Sequence, residues 1–388
     1  MANILITGGA GFIGSHTADE LIKRGHQVRA LDLLDPQVHG PHASRPAYLH
    51  PQVELVPGDV RHPHDIQRAL VGIDAVYHFA SLTGVGQSMY EMRSYVDTNV
   101  AGTATLLDVL AARQRAAAAG KAQPLRRVVL ASSRAVYGEG TCQRRDGMIV
   151  YPNLRERQAM EAGDFDTHCP NTDQPVAPVA TQEDRPCAPI SVYGWTKKQQ
   201  EDYCILAAKT QGLPVVCLRY FNVYGSRQAL GNPYTGVVSV FYNRLMAGQP
   251  IALYEHGLPR RDFVHVSDVV AANVLALTAD VPAGECINIG AGEGHTIHEL
   301  AETLRDLVQL GGDLEDTSKF RVGDVWACYA DLARARQRLG YEPRTSLRQG
   351  LQEFLHWARR QDTVDRSAQA EEELRHHNLL GEARKDAA

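Results

Sequence analysis

The chain is expected to fold as an α/β protein, a doubly wound parallel sheet followed by a smaller mixed α/β C-terminal domain. Three observations predict this. Short apolar runs of strand length alternate with amphipathic helical segments from the N-terminus onward. Those runs hold few polar breaks, as strands do in a sheet covered on both faces. A glycine-rich turn, TGGAGFIGSH, separates the first strand from the first helix.

ANILITG reads as the first strand and FIGSHTADELIKRG as the amphipathic helix behind it. QVRALDL and VELVPGDV are the second and third strands, and a helix follows near HDIQRALVG. DAVYHFAS is the fourth strand, with a long helix from about Met92 through NVAGTATLLDVLAARQRAAAA. RRVVLASS, PVVCLRYFN and a late strand near ECINIG extend the sheet. Right-handed βαβ connections then make it parallel. Residues 1–222 are assigned to this first domain, 223–360 to the second and 361–388 to a polar tail. Two stretches break the rhythm. Residues 139–188 are polar and irregular, and read as an insert between a strand and the next helix. The tail, QDTVDRSAQAEEELRHHNLLGEARKDAA, carries few large apolar groups and is expected to be a frayed helix or disordered.

With 388 residues, 44% of them hydrophobic, the chain can bury a sizeable core. Acids and bases are mixed at a net charge of −5, which argues against a nucleic-acid partner. No apolar run approaches the roughly 20 residues of a membrane span, so no membrane partner is expected and a soluble, cytoplasmic protein is. Cys142, Cys169, Cys187, Cys204, Cys217, Cys286 and Cys328 are odd in number and widely spaced, which suits reduced structural thiols.

The glycines of the turn fall at Gly8, Gly11 and Gly14. The first supplies backbone freedom, the second close approach to a pyrophosphate, the third tight packing of helix on strand. Phe12 and Ile13 open a helix whose free N–H groups and dipole favour phosphate. Strand, glycine turn and helix in the first βαβ unit form a Rossmann-type dinucleotide cradle. Asp32 ends the second strand, where a carboxylate accepts from both ribose hydroxyls and repels a 2′-phosphate; NAD is favoured over NADP. Asp59 and Val60 end the third strand, beside the expected adenine.

Tyr193 and Lys197, in SVYGWTKKQQED, are four residues apart and share a helix face. A phenol is a poor base near neutrality. A neighbouring ammonium and an oxidised nicotinamide favour the phenolate, and the phenol can then exchange a proton with a substrate hydroxyl.

TGGAGFIG, Asp32, GDV, HFAS, Asn99, ASSRAVYG, Tyr193-x-x-x-Lys197, LRYFNVYG and RDFVHVSDV together resemble the extended short-chain dehydrogenase/reductases, in their nucleotide-sugar epimerase/dehydratase branch. The resemblance spans about residues 3–345. It implies that Ser133 hydrogen-bonds the reacting sugar hydroxyl, that Tyr193 is the base and that Lys197 holds the nicotinamide ribose. Ser132 is read as structural. Ala80, in HFAS, and Asn99 join the cofactor-binding set, Asn99 as support for the long helix. Thr83 falls near cofactor and sugar. Asn222, Asn232, Arg261 and Arg321 match positions that hold the diphosphate or base of a nucleotide-sugar substrate, and guanidinium forks suit phosphate. The resemblance also implies a homodimer through the long helix near 92–118 and the Tyr193 helix.

In this family 4,6-dehydratases carry Asp-Glu directly after the serine, and sugar-acid decarboxylases a Glu in that turn. Here the positions hold Arg134 and Ala135. Without an acid to drive elimination, epimerisation remains: oxidation at C4, rotation of the keto sugar, reduction on the other face. TGVGQSMYEM, ASSRAVYGEG, the polar insert and LGNPYTGVVSVF are similar to the dTDP-L-rhamnose 4-epimerase group, which forms dTDP-6-deoxy-L-talose. A UDP-hexose or uronate 4-epimerase and a 4-keto-sugar reductase are the alternatives. Arg134 is expected to pair with substrate or with an acid of the insert. Related inserts resemble a zinc ribbon. This one keeps Cys142, Cys169 and Cys187 without paired spacing, so no metal is expected and the insert is read as a lid, rim or interface.

Overall fold

A computed structural model describes all residues except 41–43, 233, 235, 310–311, 363 and 385–388. Its centre is a seven-stranded parallel sheet. The strands are β1 (Asn3–Thr7), β2 (Gln27–Asp32), β3 (Glu54–Pro57), β4 (Ala75–His78), β5 (Arg127–Ser133), β6 (Val215–Tyr220) and β7 (Glu285–Ile289). They lie in the order β7-β6-β5-β4-β1-β2-β3. The order reverses between β1 and β4, the switch point at whose carboxyl ends ligands bind in such sheets. ECINI does join the sheet, pairing in parallel with β6.

Alternation along the strands decides which layer each residue meets. Ile4 and Ile6 turn to one face, where they share a core with Ala18 and Leu21 of α1 (Phe12–Lys23). Leu5 turns to the other, with Leu106 and Leu110 of α2 (Gly102–Ala118). Val129 and Ala131 of β5 follow the first pair, Val128 and Leu130 the second. On the same side as α2 packs α3 (Val192–Gln211); α4 (Val266–Thr278) packs against α1. The long helix expected from Met92 is interrupted by a π-helical turn over Val96–Ala101 before α2 begins. Such turns recur at functional sites.

The later residues build a separate core around Tyr242, Leu300, Leu304 and Phe354. Capping boxes start two of its helices, Thr296 with Glu299 and Ser346 with Gln349. The insert forms a small antiparallel sheet of Thr141–Gln143, Ile149–Val150 and Ala177–Val179, plus one short helix, Arg157–Glu161. Cys142 and Cys169 pack there with Val150 as small apolar groups.

The expectation of a frayed or disordered tail is corrected. Ser367–His376 is a helix, α5, and strand β9 (Leu380–Glu382) pairs antiparallel with β8 (Lys319–Arg321). Ala370, Leu374 and Leu380 are buried, so the few apolar groups of the tail are spent on docking. Among the described residues no helix is long and apolar enough to cross a membrane.

Candidate active site

A cleft at the carboxyl ends of β1, β4 and β5 is lined by the glycine turn, Asp32, Asp59, Ala80, Thr83, Tyr193 and Lys197. Gly8 has φ +70°, and a Cβ on it would lie 2.8 Å from Ala80 N. On Gly14 a Cβ would meet Gly8 O at 2.3 Å. Gly11 caps α1 without any side-chain hydrogen bond, and the first turn holds no acid. The helix therefore presents free N–H groups to the cleft over a floor that a larger residue would fill, which suits a pyrophosphate. Asp32 is buried; its Oδ2 accepts from Ala10 N at 2.9 Å and its Oδ1 from Leu34 N at 2.8 Å. Each oxygen retains a lone pair for a ribose hydroxyl. Phe12, Ile13 and Val60 complete the walls. Asp59 is tied to Arg61, whose Nε donates to Oδ2 at 2.8 Å. Burial alone would push this carboxyl up, but Arg61 outweighs it and the net direction is down.

Ser133, Tyr193 and Lys197 converge from two elements. Ser133 ends β5 and caps the 3₁₀ turn Arg134–Tyr137, its Oγ accepting from Ala135 N at 3.1 Å. Tyr193 and Lys197 lie on the first turns of α3, capped by Ser191, and Lys197 Nζ is 5.8 Å from the centre of the Tyr193 ring. Tyr193 N donates to Ser88 Oγ at 3.0 Å, and Tyr95 packs edge-on to the Tyr193 ring. Burial raises the Tyr193 pKa; the Ser133 hydroxyl and then Arg134 pull it the other way. Lys197 Nζ donates to Ala131 O at 3.0 Å, and burial lowers its pKa to about 7 against the pull of Glu201. Without a bound cation the phenol is thus held protonated. An oxidised nicotinamide is a cation of the kind that reverses this balance.

Residues 4–159 and 167–290 match the NAD dependent epimerase/dehydratase family. The chain belongs to that family. A dTDP-L-rhamnose 4-epimerase of Burkholderia thailandensis is 36% identical over 91% of this chain and 94% of its own. A UDP-N-acetyl-alpha-D-glucosaminuronate decarboxylase of Bacillus cytotoxicus is 29% identical over 92% and 97%. The solved structure of UDP-glucuronic acid 4-epimerase from Bacillus cereus, in complex with UDP-glucuronic acid and NAD, matches with a TM-score of 0.72 at 25% identity, over 92% of this chain and 99% of that one. The chain is an NAD-dependent epimerase of nucleotide sugars.

In this epimerase Arg134, Arg261 and Arg321 surround one carboxylate, Asp324. Arg261 Nη2 donates to Asp324 Oδ1 at 2.8 Å. Burial would raise the Asp324 pKa, but Arg261, Arg321 and Arg134 together hold it down at about 2. Arg321 stacks on the Tyr254 ring, 5.0 Å from its centre. Glu139, Glu255 and Arg155 border the same patch, and four guanidiniums against three acids leave it a small net positive charge beside Ser133, suited to a diphosphate. Sequence reasoning missed Asp324, although it stands three residues after Arg321.

Other expected positions lie elsewhere. Asn99 was expected among the cofactor-binding residues. It is wholly buried on the π-helical turn, bonding Leu82 through N and O and Thr196 through its amide. Its polar atoms are spent on joining the loop after β4 to α3. Asn232 accepts from Tyr234 N and from Gln37 and lines the dinucleotide cleft, not the arginine patch. Asn222 donates its backbone N–H to Asp262 O, and its buried Oδ1 has no hydrogen-bond partner among the described residues. Ser132 borders the cleft, but its hydroxyl donates to the buried Glu201 Oε1 at 2.6 Å.

Proposed function

We propose that the chain interconverts dTDP-L-rhamnose and dTDP-6-deoxy-L-talose by 4-epimerisation. The observation that carries a simple epimerisation is the turn after Ser133. Arg134 and Ala135 stand there, so the turn supplies no carboxylate to expel water or to assist decarboxylation. The 36% identical rhamnose epimerase supports the sugar and the base.

In this reading Gly8, Gly11 and Gly14 admit the pyrophosphate of NAD to the start of α1, and Asp32 takes the adenosine ribose. NAD, when bound, supplies a reversible two-electron oxidation of the C4 alcohol. Tyr193 takes the proton of the 4-hydroxyl, with Ser133 bridging them, and returns it at the end of the cycle. Lys197 orients the nicotinamide ribose and favours the phenolate. Arg134, Arg261 and Arg321 hold the diphosphate while the 4-keto sugar turns its other face. The exposed Met92, Val96, Trp195 and Leu206 support a homodimer contact along the long helix and the Tyr193 helix.

A UDP-uronate 4-epimerase is the second reading. Arg134 favours it, because a guanidinium next to the reacting serine suits a C6 carboxylate. Purified protein is incubated in parallel with dTDP-L-rhamnose, UDP-galactose and UDP-glucuronate. Conversion of the first alone, with no net change in reduced nicotinamide absorbance, is expected. Stoichiometric consumption of reduced cofactor would identify a keto-sugar reductase instead.

A further inference from the structure

The insert carries two buried cations, Arg155 and Arg185, and Arg155 is only 4% exposed at its side chain. Its guanidinium reaches three walls of the arginine patch. Nη1 donates to Glu255 Oε2 at 2.5 Å, and Nε stands 3.4 Å from Glu139 Oε1. Nη2 donates to Asp324 O at 3.1 Å, and the fork lies over the Trp326 ring.

Each wall leads to a guanidinium of the patch. Asp324, held through its carbonyl, offers its carboxylate to Arg261. Glu139 accepts from Trp326 N at 2.8 Å, and Trp326 O in turn accepts from Arg261 Nη1 at 3.1 Å. Glu255 follows Tyr254, the ring on which Arg321 stacks. Glu255 and His256 have φ of 52° and 58°, two successive left-handed residues without a glycine. Such backbone persists only where its surroundings enforce it, and the Arg155–Glu255 pair does so here.

Charge balance gives a second reason. Glu139 and Glu255 are buried, with side chains 1% and 2% exposed. Burial pushes both carboxyls up and Arg155 is the first group to pull each down; Arg261 also acts on both. Arg155 lies against both acids and offsets one of their two charges. Without it Arg261, whose charge acts on both acids, would be drawn toward them and away from the diphosphate.

We propose that Arg155 of the insert is a positioning residue for the substrate's nucleoside diphosphate, acting by holding Arg261 and Arg321 in place and by keeping Glu139 and Glu255 from neutralising them. This rests on the reading of the arginine patch as the diphosphate site. It gives the insert a role within the substrate site.

The test uses NAD-loaded protein and measures Kd for dTDP and for UDP by calorimetry, with KM and kcat for the nucleotide sugar that turns over. Arg155→Met is expected to weaken nucleoside diphosphate binding by roughly tenfold to a hundredfold. KM should rise by a similar factor, kcat should change less, and bound NAD should stay at the unmutated level. Arg155→Lys should recover part of the loss. A merely structural role would lower the melting temperature and NAD content without this split. Glu255→Gln keeps the test open if Arg155→Met does not fold; its Kd should weaken severalfold. An unchanged Kd in either folded variant overturns the proposal. If the unmutated protein binds neither dTDP nor UDP, the diphosphate reading itself falls and takes this one with it.

Discussion

Ser132 and Ser133 are adjacent, yet their hydroxyls serve opposite sides of β5. Ser132 donates to Glu201 Oε1 at 2.6 Å, inside the buried Glu201–Arg219 pair, whereas Ser133 faces the Tyr193 phenol. The same substitution should therefore fail in different ways. Ser132→Ala removes a hydrogen bond to a buried charge and should cost about 2 kcal/mol in a urea titration, with turnover nearly intact. Ser133→Ala should lower kcat by about 10²-fold or more, at a stability cost of no more than about 1 kcal/mol from its lost cap.

Tyr193→Phe removes the group that moves the proton and leaves its ring packing against Tyr95. Turnover should fall at least 10²- to 10⁴-fold, roughly the range for a positioned acid–base group. Bound NAD, measured by mass spectrometry of the purified protein, should be retained. Near-full activity in this variant would end the epimerase mechanism argued above.

Lys197 gives a pH dependence with a defined sign. Burial lowers its pKa from the ordinary 10.5 to about 7. Between those values the unfolded chain binds a proton that the folded chain has released, so stability rises with pH through that window. Below it both states are protonated and the buried charge costs stability in full. Urea midpoints of cofactor-free protein should climb from neutral to alkaline pH, and Lys197→Met should flatten the climb.

At the cradle, Gly14→Ala would place a methyl group 2.3 Å from the Gly8 carbonyl. The turn must open or α1 must shift. Loss of copurifying NAD is expected, together with a destabilisation of about 1–3 kcal/mol by overpacking. A variant that keeps both NAD and stability would show that the turn adapts.

The cradle and the α3 pair were legible because their information is local. Gly8, Gly11 and Gly14 lie within one turn, and Tyr193 and Lys197 within one helical repeat, so spacing alone carries the geometry. The insert and the tail were not, because their contacts are remote. Arg155 meets Glu255 across 100 residues and Glu373 meets Tyr90 across 283. Neither partner carries a pattern that announces the other. Asn99 was legible as a support for the long helix, but its motif did not show that its amide would bond Leu82 and Thr196.

The tail supplies the last expectation. The Glu373 carboxylate accepts from the hydroxyls of Tyr90 and Tyr234, and His377 stacks on Tyr90 at 4.3 Å with rings nearly parallel. At the other end β9 pairs with β8, which carries Arg321. One short segment thus ties the loop before Tyr95 to an arginine of the positive patch. Removing residues 364–388 should raise amide hydrogen exchange at Lys319–Arg321, whose strand loses its partner, and in the Val85–Tyr90 segment. Chain elements far from both, such as β1, should be unaffected. The Tyr234 hydroxyl is the first cause of a lowered Glu373 pKa. Its contribution is therefore present above the ordinary value of 4.5 and is lost as pH falls below it. Exchange in the intact protein should increase at the same two segments on acidification, and Glu373→Gln should remove that pH response. Unchanged protection after truncation would mean that the tail lies on the surface without bracing it.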